Sequence, residues 1–400
     1  MKIVFLAPFG IRPKGTVIAR MLPLAVELQK LAHKVVIVAP PYTNPEDSGK
    51  VERLNGVKLV NVVLPNCGKV GGALLIAWRM FLAFRDERPA LVHLYKPKGY
   101  GGLVAMLLIC LRQMGVRLPP LFVDSDDWEG SGGMNEIQDY SWFEKRFFAF
   151  QEQWLLRQAT GVTVASRTLE ECTHKIGVPL EHILYLPNCV EATPSGDGAN
   201  VRKRHGIDAN APVMLLYTRF FEFSQEKLHR LFADIYSRIP QVRFLVVGKG
   251  RCGEETQLEI AAEHFGFQKA LAIAGWVEPN ELSDYLAAAD VAVYPMDDTL
   301  VNRAKCPAKL TEILCAGIPV VADRVGQSEE YIHEGVSGFL SDPANMKDMA
   351  DKTVSLLLDM TKSKLMGAEG RRYLISQFNW HDFARKLESF YVASGTSVKN

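Results

Sequence analysis

Short apolar segments alternate with longer, helix-length patterns along most of the 400-residue chain, and this alternation constrains the fold more than any other feature. The short segments are continuous in their apolar character, as in KIVFL near the start and VMLLY in the middle. Parallel strands that are buried on both faces have this composition, and each needs a crossover helix before the next. The sequence therefore predicts an α/β fold with doubly wound parallel sheets.

The pattern occurs twice, on either side of a polar, aperiodic segment at 191–200 that we interpret as a linker. In the first half the predicted strands are 2–8, 34–39, 57–64, 90–94, 121–123, 162–165 and 183–186. In the second half they are 213–217, 243–247, 271–274, 291–294 and 319–322. Two such halves predict two Rossmann-like domains, with ligands bound beyond the carboxyl ends of the strands.

Charge and composition exclude two classes of protein. The 46 basic and 45 acidic residues give a net charge of +1, which excludes a nucleic-acid binder that relies on a broad basic surface. Hydrophobic residues make up 48% of the chain, which excludes a mostly disordered protein. The seven cysteines lack the spacing of a metal site, and the start MKIVFLAPFG predicts a first strand rather than a signal peptide. We therefore expect a cytoplasmic protein.

The segment 302–323, NRAKCPAKLTEILCAGIPVVAD, predicts a short helix that begins at Pro307 and is followed directly by a buried strand. The free amides and the positive dipole end at the start of this helix favour an anion, and Lys305 and Lys309 add positive charge there. Glu312 lies one turn further on, where its carboxylate can accept two hydrogen bonds from a vicinal diol such as a ribose. A surface helix with solvated charges is the alternative.

Arg219 follows the predicted strand 213–217 and precedes a predicted helix, so it should stand at the carboxyl end of a strand. An arginine there can bind a phosphate with two hydrogen bonds, and Lys227 in the next helix is a weaker companion. An interdomain salt bridge is the alternative interpretation.

Glycines follow two of the predicted strands. The segment 248–253, GKGRCG, matches the dinucleotide fingerprint, but it follows the second strand of its half and lacks the later acidic residue. We interpret Gly248 and Gly250 as letting the backbone approach a ligand, without implying NAD. Gly15 and Thr16, after the first strand, have the same interpretation, with a plain turn as the alternative.

Acidic residues follow the predicted strand 121–123 in the sequence DSDDWEG. Asp126 and Asp127 suit a general base or the recognition of an acceptor hydroxyl, and Trp128 beside them suits a binding cleft. A solvated turn explains these residues as well, and a divalent-metal site is the third interpretation.

Lys96 and Lys98 end the predicted strand 90–94, where they either bind an anionic acceptor or are simply exposed. His33 and His93 lie at strand edges and are more often structural than catalytic. The predicted helix at 72–85 carries large apolar side chains with arginines nearby. A core helix explains it best, and docking on an anionic membrane is the alternative.

Several longer segments stand in a characteristic order. Between 215 and 343 these are VVGKG, AGWV, LSDYLAAADVAVYP, KLTEILCAGIPVVAD and EYIHEGVSGFLSDP, and LAPFG, LAVELQKLAHKVVIVAPP and PNCV precede them. In these segments the chain resembles the GT-B glycosyltransferases of family 4, also called group 1, over nearly its full length. The resemblance implies an acceptor-side domain at 1–192, a nucleotide-sugar donor domain at 201–380, a central cleft between them, and a C-terminal helix at 381–400 that packs back on the first domain.

The resemblance also assigns roles to residues. Arg219 would bind the donor diphosphate, and Glu312 would be the second Glu of the family's E-x7-E motif, whose first position is Ala304 here. The predicted catalytic residues are Asp126, Asp127, Arg219 and Lys309. The predicted donor-binding residues are Gly15, Thr16, Arg219, Lys227, Gly248, Gly250, Lys305, Lys309, Leu310 and Glu312. The predicted acceptor-side residues are Tyr95, Lys96, Lys98 and Trp128, and the predicted acids near the sugar are Asp297 and Asp298.

The implied activity is that of a hexosyltransferase in glycan biosynthesis, which uses a UDP- or GDP-sugar, retains the anomeric configuration and needs neither metal nor other cofactor. Its acceptor would be a glycan, a lipid-linked molecule or a small molecule, and it would contact the inner face of the membrane peripherally. Alternatives in the same fold are a nucleotide-sugar epimerase or phosphorylase. A catalytically altered, nucleotide-sugar-binding subunit is a further alternative, suggested by Ala304 and by Tyr95, where the family usually has a cleft histidine. An NAD-dependent enzyme comes last.

Overall fold

The computed structural model describes residues 1–11, 15–66, 68–191 and 196–396, and the chain divides into two compact units. The N-terminal unit contains the described residues up to Cys189, together with 304–306 and the last helix from Trp380 onward. The C-terminal unit contains the rest, from Val190 to Asn379. The predicted boundary at 192 lies outside the described residues, as do the last four residues of the predicted segment 381–400.

The N-terminal unit is built on one eight-stranded sheet. Its strands are β1 (Lys2–Leu6), β2 (Lys34–Ala39), β3 (Val51–Leu54), β4 (Val57–Asn61), β5 (Leu91–Tyr95), β6 (Leu121–Ser125), β7 (Gly161–Val164) and β8 (Ile183–Tyr185). They lie in the order β3-β4-β2-β1-β5-β6-β7-β8. All neighbours are parallel except β3 and β4, a hairpin closed by Asn55 and Gly56, which both have positive φ angles. An Asn-Gly pair is a preferred two-residue hairpin turn.

Helices cover this sheet. A π-helical turn, Val17–Met21, leads into the first helix. The helices are α1 (Leu22–Lys30), α2 (Lys69–Glu87), α3 (Gly99–Gln113), α4 (Trp142–Gln158) and α5 (Arg167–Lys175). The start of α4 is fixed by a capping box, in which the Ser141 hydroxyl accepts from the Glu144 amide and the Glu144 carboxylate accepts from the Ser141 amide.

The C-terminal unit contains a six-stranded, fully parallel sheet. Its strands are β9 (Val213–Tyr217), β10 (Arg243–Val247), β11 (Leu271–Gly275), β12 (Val291–Tyr294), β13 (Val320–Asp323) and β14 (Phe339–Ser341). Their order is β11-β10-β9-β12-β13-β14, which is the 3-2-1-4-5-6 order of a dinucleotide-binding fold. The order reverses between β9 and β12, so a ligand is expected beyond the carboxyl ends of these two strands.

Nine helices of the described residues lie in this unit, apart from Ala304, the last residue of one of them, which belongs to the N-terminal unit. They are α6 (Gly198–Arg204), α7 (Gln225–Arg238), α8 (Glu254–Phe265), α9 (Leu282–Ala287), α10 (Leu300–Ala304), α11 (Ala308–Cys315), α12 (Ser328–Tyr331), α13 (Met346–Leu358) and α14 (Met360–Gln377). The predicted aperiodic segment 191–200 is wrong at its end, because the Asp197 side chain accepts from the Asn200 amide and starts α6 at Gly198.

The core of the C-terminal unit lies between its sheet and the helices α7, α8 and α13. Phe232 of α7 stacks on Phe244 of β10 with ring centroids 4.4 Å apart, and Phe267 packs edge-on against Phe244. All three rings are fully buried. This aromatic cluster holds α7 against the strands whose carboxyl ends carry the predicted site residues.

The last helix, α15 (Trp380–Thr396), packs in the N-terminal unit against α1. The Glu388 carboxylate lies 2.7 Å from Nε2 of His33, and the Tyr391 hydroxyl lies 2.6 Å from Nδ1 of His93. His93 is fully buried, and burial lowers its pKa to about 4, so this histidine stays neutral and structural.

Candidate functional site

Side chains with functional chemistry gather where the strand order of the C-terminal unit reverses. A small hollow there is lined by Leu216, Tyr217, Thr218, Glu222, Phe223, Tyr294, Pro295 and Lys309. We call it the β9–β12 hollow. Strand β9 ends at Tyr217, β12 ends at Tyr294, and α11 begins beside them. The hollow therefore lies where a doubly wound sheet binds its ligand.

Two charged side chains of the first turns of α11 meet Tyr217. The Lys309 ammonium lies 3.3 Å from the centroid of the Tyr217 ring, and the Tyr217 hydroxyl interacts with the Glu312 carboxylate. Burial, aided by the positive charge of Arg219, lowers the pKa of Lys309 to about 8. Burial raises the pKa of Glu312, although Lys309, Tyr217 and Arg219 oppose that rise. Both groups therefore titrate closer to neutrality than their exposed counterparts.

Arg219 stands beside this pair with an exposed side chain, and its charge acts on Lys309, Glu312 and Tyr217. The next residue, Phe220, is buried and has a φ of 67°, a left-handed conformation that bulky residues rarely adopt. The Thr218 hydroxyl stabilises this turn by accepting from the Phe220 amide at 2.8 Å. A strained backbone held in this way after a strand is common at functional sites.

The start of α11 also offers backbone amides. Pro307 occupies the capping position rather than the first helical turn, so the helix begins one residue later than predicted. Its carbonyl accepts from the amides of Leu310 and Thr311. The amides of Ala308 and Lys309 precede these bonds and are the ones that a ligand at the helix start would meet. The Leu310 side chain is fully buried and anchors the turn.

Gly248 brings the ends of β9 and β10 together. Its φ is 122°, and a Cβ there would lie only 1.9 Å from the Thr218 carbonyl oxygen, so only glycine fits. Its amide donates to the Gly275 carbonyl at 2.7 Å. The Gly250 amide donates to the Glu255 carboxylate at 2.9 Å. The glycines of the GKGRCG segment thus shape the sheet edge beside Arg219.

Other predicted residues of the C-terminal unit have partners outside the hollow. The Lys227 ammonium lies 2.7 Å from the buried Asp323 carboxylate and donates to the Pro343 carbonyl at 3.0 Å. Asp298 pairs with Arg303 on the surface at 2.6 Å, and this hydrogen bond lowers the pKa of Asp298. Asp297, in the same loop, has a half-buried side chain. These contacts place Lys227 at the end of β13 and Asp298 at the surface.

In the N-terminal unit a second charged cluster follows β5 and β6. The Lys96 ammonium lies 2.9 Å from Asp126 and 2.5 Å from Asp127, and the Lys98 ammonium lies 2.7 Å from Glu129. Burial raises the pKa of Asp126 to about 6. Burial alone would also raise the pKa of Asp127, but Lys96 and, more weakly, Lys305 outweigh it and lower the pKa. The structure therefore brings Lys96, Lys98, Asp126 and Asp127 together.

Tyr95 and Trp128 are less accessible than their predicted role suggests. Tyr95 is fully buried, and its hydroxyl has no hydrogen-bond partner among the described residues. The Trp128 indole is also buried and donates to the Ser131 carbonyl at 3.1 Å. Gly130 allows the loop to close on this ring, since a Cβ there would lie 2.8 Å from it. Trp128 therefore holds the loop that follows Asp127.

A buried ion pair stands behind this cluster, and sequence reasoning missed it. The Arg20 guanidinium, from the π-helical turn after Gly15 and Thr16, donates to both carboxylate oxygens of Asp124 at 2.8 and 2.7 Å. Arg20 is only 2% exposed, and Asp124 is fully buried. The sequence feature that could have indicated this ion pair is an arginine within an otherwise apolar helix face. A Cβ on Gly15 would meet nothing within 4 Å, so the space beside this glycine is open.

No group of three or more His, Cys, Asp or Glu side chains within the described ranges is arranged to hold a metal ion. Nor does any helix in these ranges combine the length and the apolar character that crossing a membrane requires.

Two family profiles match successive parts of the chain. Residues 15–189 match the profile described as "Glycosyl transferase 4-like domain", and residues 211–359 match the one described as "Glycosyl transferases group 1". The two profiles together cover most of the chain, and with the relatives and solved structures described below they support a GT-B glycosyltransferase of family 4. This finding confirms the family predicted from the sequence, and the β9–β12 hollow lies within the second matched range.

Curated members of the family are distant relatives. The GDP-mannose-dependent alpha-(1-6)-phosphatidylinositol monomannoside mannosyltransferase of Mycobacterium tuberculosis (strain ATCC 25618 / H37Rv) is 27% identical over 218 residues, which cover 53% of this chain and 56% of the relative. The N-acetyl-alpha-D-glucosaminyl L-malate synthase of Bacillus anthracis is 22% identical over 239 residues, covering 59% and 60%. The chain thus spans little more than half the length of these relatives.

Solved structures resemble the whole chain. Sucrose-phosphate synthase from Thermosynechococcus elongatus superposes with a TM-score of 0.75 at 17% identity, covering 99% of this chain and 100% of that one. Anabaena HepE in complex with UDP-glucose superposes with a TM-score of 0.72 at 17% identity, covering 98% and 100%. At this identity the likeness concerns the fold, and it confirms the predicted GT-B fold.

Proposed function

We propose that this protein is a glycosyltransferase that moves a sugar from a UDP- or GDP-sugar to an acceptor hydroxyl, with the nucleotide diphosphate bound at the β9–β12 hollow. One observation carries the proposal. Arg219, Lys309 and Glu312 meet where the order of a Rossmann sheet reverses, beside the start of α11. Two cations, free helix amides and a carboxylate suit a diphosphate that is joined to a ribose.

Each group has a separate task. Negative charge builds on the diphosphate as the bond to the anomeric carbon breaks, and donors aimed at that charge stabilise the transition state by about 3 kcal/mol each. Arg219, Lys309 and the amides at the start of α11 are such donors, and they need no metal. Glu312 accepts hydrogen bonds from the ribose diol. The acceptor hydroxyl attacks with retention at the anomeric carbon, and the diphosphate takes its proton.

The acceptor binds to the cluster of the N-terminal unit. Lys96 and Lys98 already face carboxylates, so they do not supply free positive charge. The Asp126 carboxylate, whose pKa is about 6, is mostly ionised at neutral pH and accepts a hydrogen bond from the acceptor hydroxyl. The acceptor is a glycan, a lipid-linked molecule or a small molecule.

The location we propose is the cytoplasm, with peripheral contact to the inner face of a membrane. Helix α2 covers the segment 72–85 singled out in the sequence, and on it Leu74 and Trp78 are 61% and 48% exposed. Exposed apolar side chains beside Arg79 suit the boundary between headgroups and acyl chains.

A subunit that binds nucleotide-sugars without transferring them is the second candidate. It is favoured by Ala304, which is 1% exposed and stands where the family's E-x7-E motif has its first Glu. The Ala304 carbonyl accepts from the Ser166 hydroxyl at 2.7 Å, so this position is built into the N-terminal unit.

A thermal-shift screen against UDP-, GDP-, ADP- and dTDP-sugars tests the proposal. A ligand at 100 times its dissociation constant stabilises the folded state by about 2.7 kcal/mol, which raises the melting temperature measurably. We expect a UDP- or GDP-sugar to stabilise the protein and to be consumed when acceptors are added. Stabilisation without consumption would support the binding subunit. Epimerisation of the sugar without transfer would support the epimerase, and no stabilisation by any of them would contradict the proposal.

A further inference from the structure

Tyr217 is the last residue of β9, and it contacts both charged side chains at the start of α11. Its ring lies under the Lys309 ammonium at 3.3 Å, and its hydroxyl interacts with the Glu312 carboxylate. Tyr217 belongs to an apolar strand and is only half-buried. Tyr217 thus contacts a cation with the face of its ring and a carboxylate with its hydroxyl.

The contact with the ring face fixes Lys309. A lysine ammonium on a flexible four-carbon stem has many positions open to it, and a nearby carboxylate three residues along the helix is an obvious partner. The negative face of an aromatic ring is a different binding position for the ammonium, in place of that carboxylate. Because Lys309 sits on the Tyr217 ring, its charge is kept at the mouth of the β9–β12 hollow.

The contact with the hydroxyl fixes Glu312. A phenol hydroxyl that donates to a carboxylate favours the charged form and restricts its rotation. Arg219 and Lys309 supply positive charge to the same carboxylate, while Glu222 acts on Lys309 and on Tyr294 across the hollow. Tyr217 is an uncharged group that contacts both Lys309 and Glu312.

We propose that Tyr217 is a positioning residue of the nucleotide site: its ring holds the Lys309 ammonium and its hydroxyl orients the Glu312 carboxylate. The cation then faces the diphosphate, and the carboxylate faces the ribose diol. This inference rests on the proposed function and adds to it the residue that separates the two opposite charges. Tyr217 acts through Lys309 and Glu312 and takes no part in the bond that breaks.

Two variants separate the ring from the hydroxyl. Tyr217→Phe keeps the ring on which the Lys309 ammonium lies and removes the hydroxyl that contacts Glu312. Tyr217→Leu removes the ring and the hydroxyl. Tyr236→Phe is the matched control, because Tyr236 is a half-buried tyrosine of the same unit that packs on Phe267 in the core. Binding is measured by isothermal titration calorimetry with UDP, GDP and their 2′-deoxy counterparts.

The wild-type protein should bind UDP or GDP at least fivefold more tightly than the 2′-deoxy form. Tyr217→Phe should weaken binding of the ribose form three- to tenfold and reduce the preference to less than twofold, since Glu312 is no longer oriented. Tyr217→Leu should weaken binding of both forms by a further factor of about ten. Tyr236→Phe should match the wild type.

The pH dependence adds a readout that a merely structural role would not move. The hydroxyl of Tyr217 opposes the rise of the Glu312 pKa, so removing the hydroxyl should raise that pKa further. The acid limb of the plot of affinity against pH, where Glu312 becomes protonated, should therefore shift to higher pH. The alkaline limb, which belongs to Lys309, should stay in place in Tyr217→Phe because the ring is kept.

The results separate the inference from the proposed function. If the wild type binds neither nucleotide, the proposed function fails and the inference fails with it. If the wild type binds but Tyr217→Phe keeps the full preference for ribose and an unshifted acid limb, only the inference is overturned. An equal loss for the ribose and 2′-deoxy forms would also overturn it, since that pattern indicates a general structural defect.

Discussion

In the proposed function, nucleotide binding depends most directly on Arg219 and Glu312. Arg219 is exposed and close enough to act electrostatically on Glu312, so the two side chains can meet different parts of one ligand. Replacing Arg219 or Glu312 with Ala should raise the dissociation constant of UDP or GDP at least tenfold, about 1.4 kcal/mol, in titration calorimetry. Arg230→Ala is the control, because Arg230 is an exposed arginine of α7 paired with Glu226. Unchanged affinity in both site variants would contradict the assignment.

If Lys309 binds the nucleotide as we propose, the affinity for the nucleotide depends on pH. Its pKa is lowered to about 8 by burial and by Arg219, and only the protonated form attracts a diphosphate. Affinity should therefore be highest well below pH 8 and should fall as the pH rises through 8. At pH 8 binding should also take up protons, which calorimetry in buffers of different ionisation enthalpy detects. Affinity that stays constant from pH 7 to 9 would show that Lys309 does not bind the nucleotide.

The Arg20–Asp124 pair makes a prediction about stability. Burial alone would lower the pKa of Arg20, but the Asp124 carboxylate outweighs this effect and raises it, so the guanidinium stays charged. Asp124→Asn leaves that charge buried without its partner and should lower the free energy of unfolding by about 3–5 kcal/mol. Urea denaturation measures the loss. Glu226→Ala breaks an exposed pair and should change stability by less than about 0.5 kcal/mol. A loss below 1 kcal/mol for Asp124→Asn would contradict this account.

At the scale of elements, α15 is an integral part of the N-terminal unit. Leu387 is fully buried on this helix, whereas Val392 is 56% exposed on the same helix. Leu387→Ala should cost about 2–5 kcal/mol of stability, since it leaves a cavity in the core. Val392→Ala should cost less than about 0.5 kcal/mol. Equal effects in thermal or urea denaturation would show that α15 is not packed as described.

Most elements were predictable because their apolar periodicity is strong. Strands β2, β9, β10 and β12 have the predicted bounds. Strand β3 was missed, because its four residues alternate between half-buried and exposed at the edge of the sheet. Helix α6 was missed because its apolar content is low and its start depends on one capping side chain, Asp197.

The candidate site was predictable where it follows from topology. Arg219, Lys309 and Glu312 stand at a strand end and at a helix start, and such positions meet at one edge of a parallel sheet. Tyr217 was missed because it completes an apolar strand, and its contacts with Lys309 and Glu312 depend on α11 lying beside it. Lys227 was assigned to the donor, but Asp323, its buried partner, stands 96 residues further along the chain. Sequence reasoning cannot pair residues that far apart.

At the scale of the whole molecule, the proposed function assigns donor binding to one unit and acceptor binding to the other. The C-terminal unit supplies cations and a carboxylate for a nucleotide, and the N-terminal unit supplies the Asp126 and Asp127 cluster for an acceptor. Each cluster lies at the carboxyl edge of its own sheet, after β9 and β12 in one unit and after β5 and β6 in the other. The fold therefore places the chemistry where doubly wound sheets bind their ligands.

A crystal structure of the protein soaked with UDP or GDP tests the central claim most directly. We predict that the diphosphate lies within hydrogen-bond distance of the Arg219 guanidinium and of the amides of Ala308 and Lys309, and that the Glu312 carboxylate contacts the ribose hydroxyls. A nucleotide bound elsewhere, with the β9–β12 hollow empty, would contradict the account.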